Sequence, residues 1–162
     1  MDRFRGNRGM EHCCRICSSS NLELVLDLGD QPWGNNFLTA EQLGSEPYYP
    51  LELCICMDCY CTQLNYTVPK EIMFKEHTYL SGATSTMHSH FRDMAVFAGT
   101  YIDNPINESM VLDIGSNDGA QLEKYRDLGY QVLGIESAAT MADIANRKGI
   151  KTTTAFFNRD FS

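Results

Sequence analysis

Val111-Leu112-Asp113-Ile114-Gly115-Ser116-Asn117-Asp118-Gly119 is the stretch whose reading decides the fold. A short apolar run enters a loop with glycine at each end. Ala120 to Leu128 then follows with helical spacing, and Leu122, Tyr125 and Leu128 point inward. Gly129 caps that helix. Gln131 to Ile135 reads as a second strand and Ala138 to Lys148 as a second helix, capped by Gly149. Thr152 to Phe156 opens a third strand. Strands alternating with helices imply parallel pairing and right-handed crossovers. The expectation is an α/β chain ending in a partial Rossmann-like parallel sheet, with Val111 to Ile114 as a buried strand.

Upstream the periodicity changes. Thr84 or Ser85 can cap a helix running to about Tyr101, with Met87, Phe91, Met94, Ala95 and Ala98 at helical spacing. Pro69-Lys70-Glu71 looks like a shorter helix start, followed by the apolar turn Ile72, Met73 and Phe74. Asp103-Asn104-Pro105-Ile106-Asn107 breaks the pattern and marks a boundary. Before Pro69, Leu22 to Leu28 alternates like a strand, with Leu22, Leu24, Leu26 and Leu28 on one face. The turn-rich Gly29-Asp30-Gln31-Pro32-Trp33-Gly34-Asn35-Asn36 follows, then a second strand around Tyr49 to Leu53. The expected domains are therefore 10–68, a small metal-binding unit; 69–104, a helical connector and substrate-side segment; and 105–162, the incomplete Rossmann-like part. Arg3, Arg5 and Arg8 lie in a polar head that reads as a frayed leader, with Met10 as an alternative start.

The metal assignment comes from cysteine spacing. Cys14-Arg15-Ile16-Cys17 and Cys56-Met57-Asp58-Cys59 are two C-x-x-C pairs with 38 residues between them. Two intervening residues let both thiolates of a pair reach one ion, and two such knuckles complete a tetrahedron around Zn2+. Four thiolates leave no position for water, so the zinc is expected to be structural. A redox dithiol or buried free thiols would explain one pair but not two. Cys13, Cys54 and Cys61 are left as free or packing cysteines, and His12 has no vacancy to fill.

Seven cysteines is an odd number, which fits a disulfide framework badly. A formal net charge of -8 opposes phosphate backbones, so a zinc-ribbon nucleic-acid binder is disfavoured. No apolar run approaches membrane-spanning length and no signal-peptide core is present, so the expected compartment is the cytoplasm.

The glycine loop departs from the dinucleotide pattern, because Asn117 stands where the second glycine should be. Asp113, just before the first glycine, suits a ligand carrying a sulfonium and an ammonium group rather than phosphates. Glu136, ending the next strand, is placed to accept ribose hydroxyls. S-adenosylmethionine meets both conditions, and Asp113, Gly115, Ser116, Asn117, Asp118, Gly119 and Glu136 are its candidate contacts. An ordinary βα turn with a solvated acid nearby is the plain alternative.

These motifs, in this order, resemble the zinc-binding sugar C-methyltransferases of deoxysugar pathways. The likeness is carried by the two knuckles, Leu26-Asp27-Leu28-Gly29-Asp30-Gln31-Pro32, Tyr49-Pro50-Leu51, Gln63-Leu64, His77-Thr78-Tyr79-Leu80-Ser81-Gly82 and Ile114-Gly115-Ser116-Asn117-Asp118-Gly119. The resemblance implies a class I methyltransferase sheet and C-methylation of a nucleotide-linked keto-deoxysugar. It also implies Tyr79 facing the sugar as the catalytic candidate, with Ser81 and His90 behind it. His77 departs from the family's usual tyrosine. Members are more than twice this long, so the resemblance implies an N-terminal portion inactive alone, whose open sheet edge could support self-association. The rival reading is a non-catalytic, zinc-stabilised interaction module.

Overall fold

A computed structural model of the chain describes residues 9–34, 37–76, 78–159 and 161. The Arg3, Arg5 and Arg8 head, Asn35 and Asn36 of the turn-rich stretch, and His77 lie outside the described residues. The chain forms two compact units, Met1–Met73 and Phe74–Ser162.

The first unit is built on a three-stranded antiparallel sheet in the order β1 (Leu22–Pro32), β2 (Tyr48–Cys56), β3 (Thr62–Leu64). Each strand departs from the expectation. β1 runs on to Pro32 instead of ending at Leu28, and β2 extends at both ends. The three-residue β3 is too short to leave a periodic signal. The register of β1 slips between Leu24 and Leu26 and again between Asp27 and Asp30, where Gly29 adopts φ +70°. Each slip leaves extra residues on β1, so its side chains no longer alternate regularly across the sheet. Leu24, Val25, Leu26 and Leu28 are accordingly all about half exposed, at 48–57%. The buried side chains here are Cys14, Cys54, Cys56, Gln63 and Tyr66, which is a very small core.

Helix α1 (Lys70–Phe74) carries the chain into the second unit. Helix α2 (Ser85–Gly99) begins where Thr84 accepts the Met87 N–H on its hydroxyl, the expected cap. Then come β4 (Met110–Ile114), α3 (Ala120–Asp127), β5 (Gln131–Glu136), α4 (Ala139–Arg147) and β6 (Thr152–Thr154). The three strands are parallel in the order β4-β5-β6, so the α/β reading holds.

Two groups of buried side chains pack on this sheet. Ala95, Tyr125 and Tyr130 form one, and Leu122, Ala145 and Ile150 the other; Val111 and Val132 touch both. Two expectations need correction. Leu128 caps α3 rather than lying inside it and is 41% exposed. β4 is covered on one side only: Val111 packs inward, while Met110, Leu112 and Ile114 are 46–62% exposed. The apolar residues of Val111 to Ile114 read as a buried strand, but cover is present on one face only. Among the described residues no helix is long and apolar enough to cross a membrane.

Gly119 is held at φ +74°, and a Cβ there would lie 3.0 Å from the Ala145 Cβ and 3.2 Å from that of Ile150. Gly29 shares the positive φ but has nothing within 4 Å. Gly119→Ala should cost about 2–4 kcal/mol through strain plus overpacking, and Gly29→Ala about 1–2 kcal/mol through strain alone. Urea unfolding of the two variants side by side reads the difference.

Candidate metal centre and glycine loop

The sulfur atoms of Cys14, Cys17, Cys56 and Cys59 lie within 4.8 Å of one another. Cys14 and Cys59 are 3.5 Å apart and Cys17 and Cys56 3.6 Å. A tetrahedron with Zn–S bonds of about 2.3 Å has sulfur–sulfur edges of about 3.8 Å. The four thiols therefore already stand at the corners zinc requires, and an all-thiolate donor set suits that ion. Among the described residues no imidazole or carboxylate joins them, so the centre is closed and structural.

The two knuckles fold alike. In the first, the Ser18 N–H returns to the Cys14 carbonyl at 2.9 Å; in the second, Tyr60 N–H returns to Cys56 at 2.8 Å. Ser18 and Tyr60 both take positive φ, +62° and +59°, to allow it. Neither is the glycine or asparagine that usually marks such a position, so the sequence gives no hint of the turn. The Ile16 amide also approaches the Cys14 sulfur, at 3.4 Å.

Two side chains that sequence reasoning passed over tie the knuckles to the sheet. Buried Gln63, on β3, accepts the Arg15 N–H at 2.9 Å and donates to the Cys13 carbonyl at 3.2 Å. Asp58 accepts from the Ser19 hydroxyl and from the Asn21 side chain at 3.1 Å.

Charge is unevenly shared among the sulfurs. The Cys17 and Ile16 amides hold the Cys14 thiol down at about 6. Cys59 receives the Cys61 amide, yet desolvation and the neighbouring sulfurs push it up to about 12. Metal binding requires thiolates, so a cation that binds here must displace the proton that Cys59 holds firmly. Cys13 is exposed, Cys61 half-buried, and Cys54 buried with its thiol pushed up by desolvation. None of the three belongs to the four-sulfur cluster, and neither does His12.

In the second unit the loop after β4 is built from its own polar groups. Gly115 and Ser116 N–H both reach the Ile135 carbonyl, and Gly119 N–H reaches Ser116. Asn117 N–H donates to Glu136 Oε2 at 2.8 Å. With four amides already engaged, the loop is poorly equipped to cradle a pyrophosphate. Ser116, Asn117, Asp118 and Glu136 are all buried. Glu136 also accepts the Ala138 N–H at 2.8 Å on Oε1, which leaves lone pairs for further donors.

Asp113 and Glu136 sit near the C-terminal ends of adjacent parallel strands, where ligands of such sheets bind. Burial first, and the Glu136 charge second, push the Asp113 carboxyl above its ordinary range. A buried and a half-buried acid thus lie near the same end of the sheet.

The 79–82 segment meets this loop: Asn117 binds the Tyr79 carbonyl and the Ser81 N–H. Tyr79 is 60% exposed. His90 is exposed on α2, beside the Phe91 ring. Lys148, which pairs with Asp118 at 2.8 Å, carried no sequence signal at all.

The chain is similar to known proteins. Residues 14–74 match the family described as "Putative zinc binding domain". The C-methyltransferase NovU of Streptomyces niveus is 28% identical over 148 residues, which is 91% of this chain and 35% of that protein. The chain thus spans about a third of the length of this curated relative. The structure of the plantazolicin methyltransferase BpumL in complex with SAH is similar at a TM-score of 0.33 and 24% identity. That match covers 46% of this chain and 29% of the other.

The chain purified without chelator should carry about one zinc per molecule by elemental analysis. Cys14→Ser or Cys59→Ser should lose it, whereas Cys13→Ser and Cys54→Ser should keep it. Lowering the pH should release the metal as protons reclaim the thiolates.

Proposed function

We propose that this chain is the zinc-bearing, cofactor-binding portion of an S-adenosylmethionine-dependent C-methyltransferase acting on a nucleotide-linked keto-deoxysugar. The observation that carries the reading is the Asp113–Glu136 pair beside a glycine loop whose amides are largely engaged. A dinucleotide would want free amides and no acid next to its phosphates. A sulfonium and an ammonium group gain from the two acids, and Glu136 retains acceptors for ribose hydroxyls. The similarity to NovU over 91% of the chain supports methyl transfer to carbon.

On this reading the cofactor supplies an electrophilic methyl group. Asp113 favours its positive charge, Glu136 orients its ribose, and the 115–119 loop shapes the floor beneath it. Carbon methylation requires a base to take the proton beside the sugar ketone, after which the enolate carbon attacks the methyl group. Tyr79 is the residue of this chain that we assign to meet the sugar and to hold a proton or hydrogen bond at the enolate oxygen; its exposure beside the loop supports this.

The non-catalytic interaction module remains a second reading, favoured by the exposed apolar residues of β1. Calorimetric titration with S-adenosylmethionine separates the two. Measurable binding supports the first, and no heat at millimolar ligand supports the second.

Asp113→Asn should act in opposite directions on stability and on binding. The folded pKa of Asp113 is raised, so its ionised form opposes folding at neutral pH, and that penalty fades as pH falls through the raised value. Asp113→Asn should therefore melt no lower than the parent at pH 7 while binding S-adenosylmethionine at least about tenfold more weakly. Glu136→Gln should weaken binding similarly. Melting curves and calorimetry on the same samples test both halves.

A further inference from the structure

Both polar atoms of the Asn117 side chain are taken up by the 79–82 segment. Oδ1 accepts the Ser81 N–H at 3.0 Å, and Nδ2 donates to the Tyr79 carbonyl at 3.0 Å. One carboxamide thus brackets Leu80 as the backbone of a partner strand would. Asp118 extends the seam: Oδ1 accepts the Gly82 N–H at 3.3 Å and the Ala120 N–H at 3.4 Å. Lys148 holds that carboxylate from behind at 2.8 Å and reaches the Asp118 carbonyl at 3.1 Å. The His88 Nε2–H donates to the Gly82 carbonyl at 3.1 Å. The approach is close enough that a Cβ on Gly82 would stand 2.7 Å from Asp118 Oδ2 and 2.9 Å from the Ala120 Cβ.

The same asparagine is fastened on its other side. Its backbone N–H meets Glu136 Oε2 at 2.8 Å, and its φ of +50° is one that asparagine tolerates better than most residues. Glu136, Asn117 and Tyr79 therefore form one continuous hydrogen-bonded chain. A glycine at 117 would suit the backbone and admit a ligand more closely, yet it would leave the Ser81 N–H and Tyr79 C=O without these partners.

We infer that Asn117 is a positioning residue rather than a cofactor contact: its carboxamide docks the Tyr79-bearing segment on the cofactor loop. The residue offered to the substrate and the carboxylate offered to the ribose are thereby held as one piece. This rests on the function proposed above, since it gives the segment and the loop their two ligands. It also accounts for asparagine at a loop position where dinucleotide sites carry glycine. Because the linkage runs through Glu136, a ligand that engages Glu136 stiffens the Tyr79 segment, and the coupling is reciprocal.

The test is backbone amide exchange followed by NMR on the zinc-loaded 162-residue chain, its Asn117→Gly variant and its Asn117→Asp variant, each without and with saturating S-adenosylmethionine. Glycine keeps the left-handed backbone and the N–H to Glu136 while deleting both side-chain bonds. Without ligand, Ser81 should exchange at least about tenfold faster in Asn117→Gly than in the parent, while the amides of Leu122 and Val132 keep their rates. Asn117→Asp retains the acceptor for Ser81 and should recover part of the protection. S-adenosylmethionine should slow Ser81 exchange several-fold in the parent and not in Asn117→Gly. Equal Ser81 rates in parent and Asn117→Gly would overturn the inference. Acceleration spread through α3 and β5 would overturn it too, by making the role one of general stability. So would a loss of affinity beyond tenfold, which would make Asn117 a cofactor ligand. If the parent binds no S-adenosylmethionine, the proposed function fails, while the ligand-free Ser81 comparison still decides whether Asn117 holds the segment.

Discussion

Four sulfur atoms confined within 4.8 Å do for the first unit what a hydrophobic core does for most domains of its size. Its sheet is three strands, one only three residues long, and its buried side chains are three cysteines, a glutamine and a tyrosine. Such a unit removes too little apolar surface from water to offset the entropy of ordering its chain. Metal–ligand bonds at the four sulfurs would meet that deficit, because in small metal domains the binding free energy is folding free energy. The surrounding polar contacts follow from this. Gln63 and Asp58 hold the knuckles through hydrogen bonds rather than apolar contact, which fixes the turns that carry the thiolates.

The second unit solves a different problem with the same economy of groups. A buried acid at the end of a strand is costly unless donors surround it. Glu136 accepts backbone N–H groups from Asn117 in the glycine loop and from Ala138 just after β5. The loop conformation and the carboxylate position are consequently one structural fact. Asp113 is less well compensated: burial, and after it the neighbouring Glu136 charge, push its carboxyl above the ordinary range.

Much of this could be read from the chain before any coordinates. The two C-x-x-C pairs announced the metal, because the chemistry of a tetrahedral thiolate site imposes that spacing. The strand–loop–helix order announced the parallel sheet, because glycine caps and apolar periodicity repeat in step from Val111 to Thr154. What stayed hidden depends on contacts between residues far apart in sequence. Gln63 reaches Cys13 across fifty positions, and Asn117 reaches Tyr79 across thirty-eight; polar side chains carry no periodicity that would forecast either. The exposure of β4 and of Leu128 was missed for another reason. Apolar character reports what a residue prefers, whereas burial depends on what else is present to cover it.

The slipped register of β1 has a consequence for how this protein behaves in a crowded solution. β1 pairs with β2 on one side only, and four of its central apolar side chains are about half exposed. A straight ribbon of that composition would be a template for strand addition and fibre growth. The irregularities after Leu24 and after Asp27 twist the ribbon and interrupt its ladder of donors and acceptors. A second molecule arriving edge-on finds no long run of matching groups to zip against, and Glu23, Asp27 and Asp30 add like-charge repulsion along the same border.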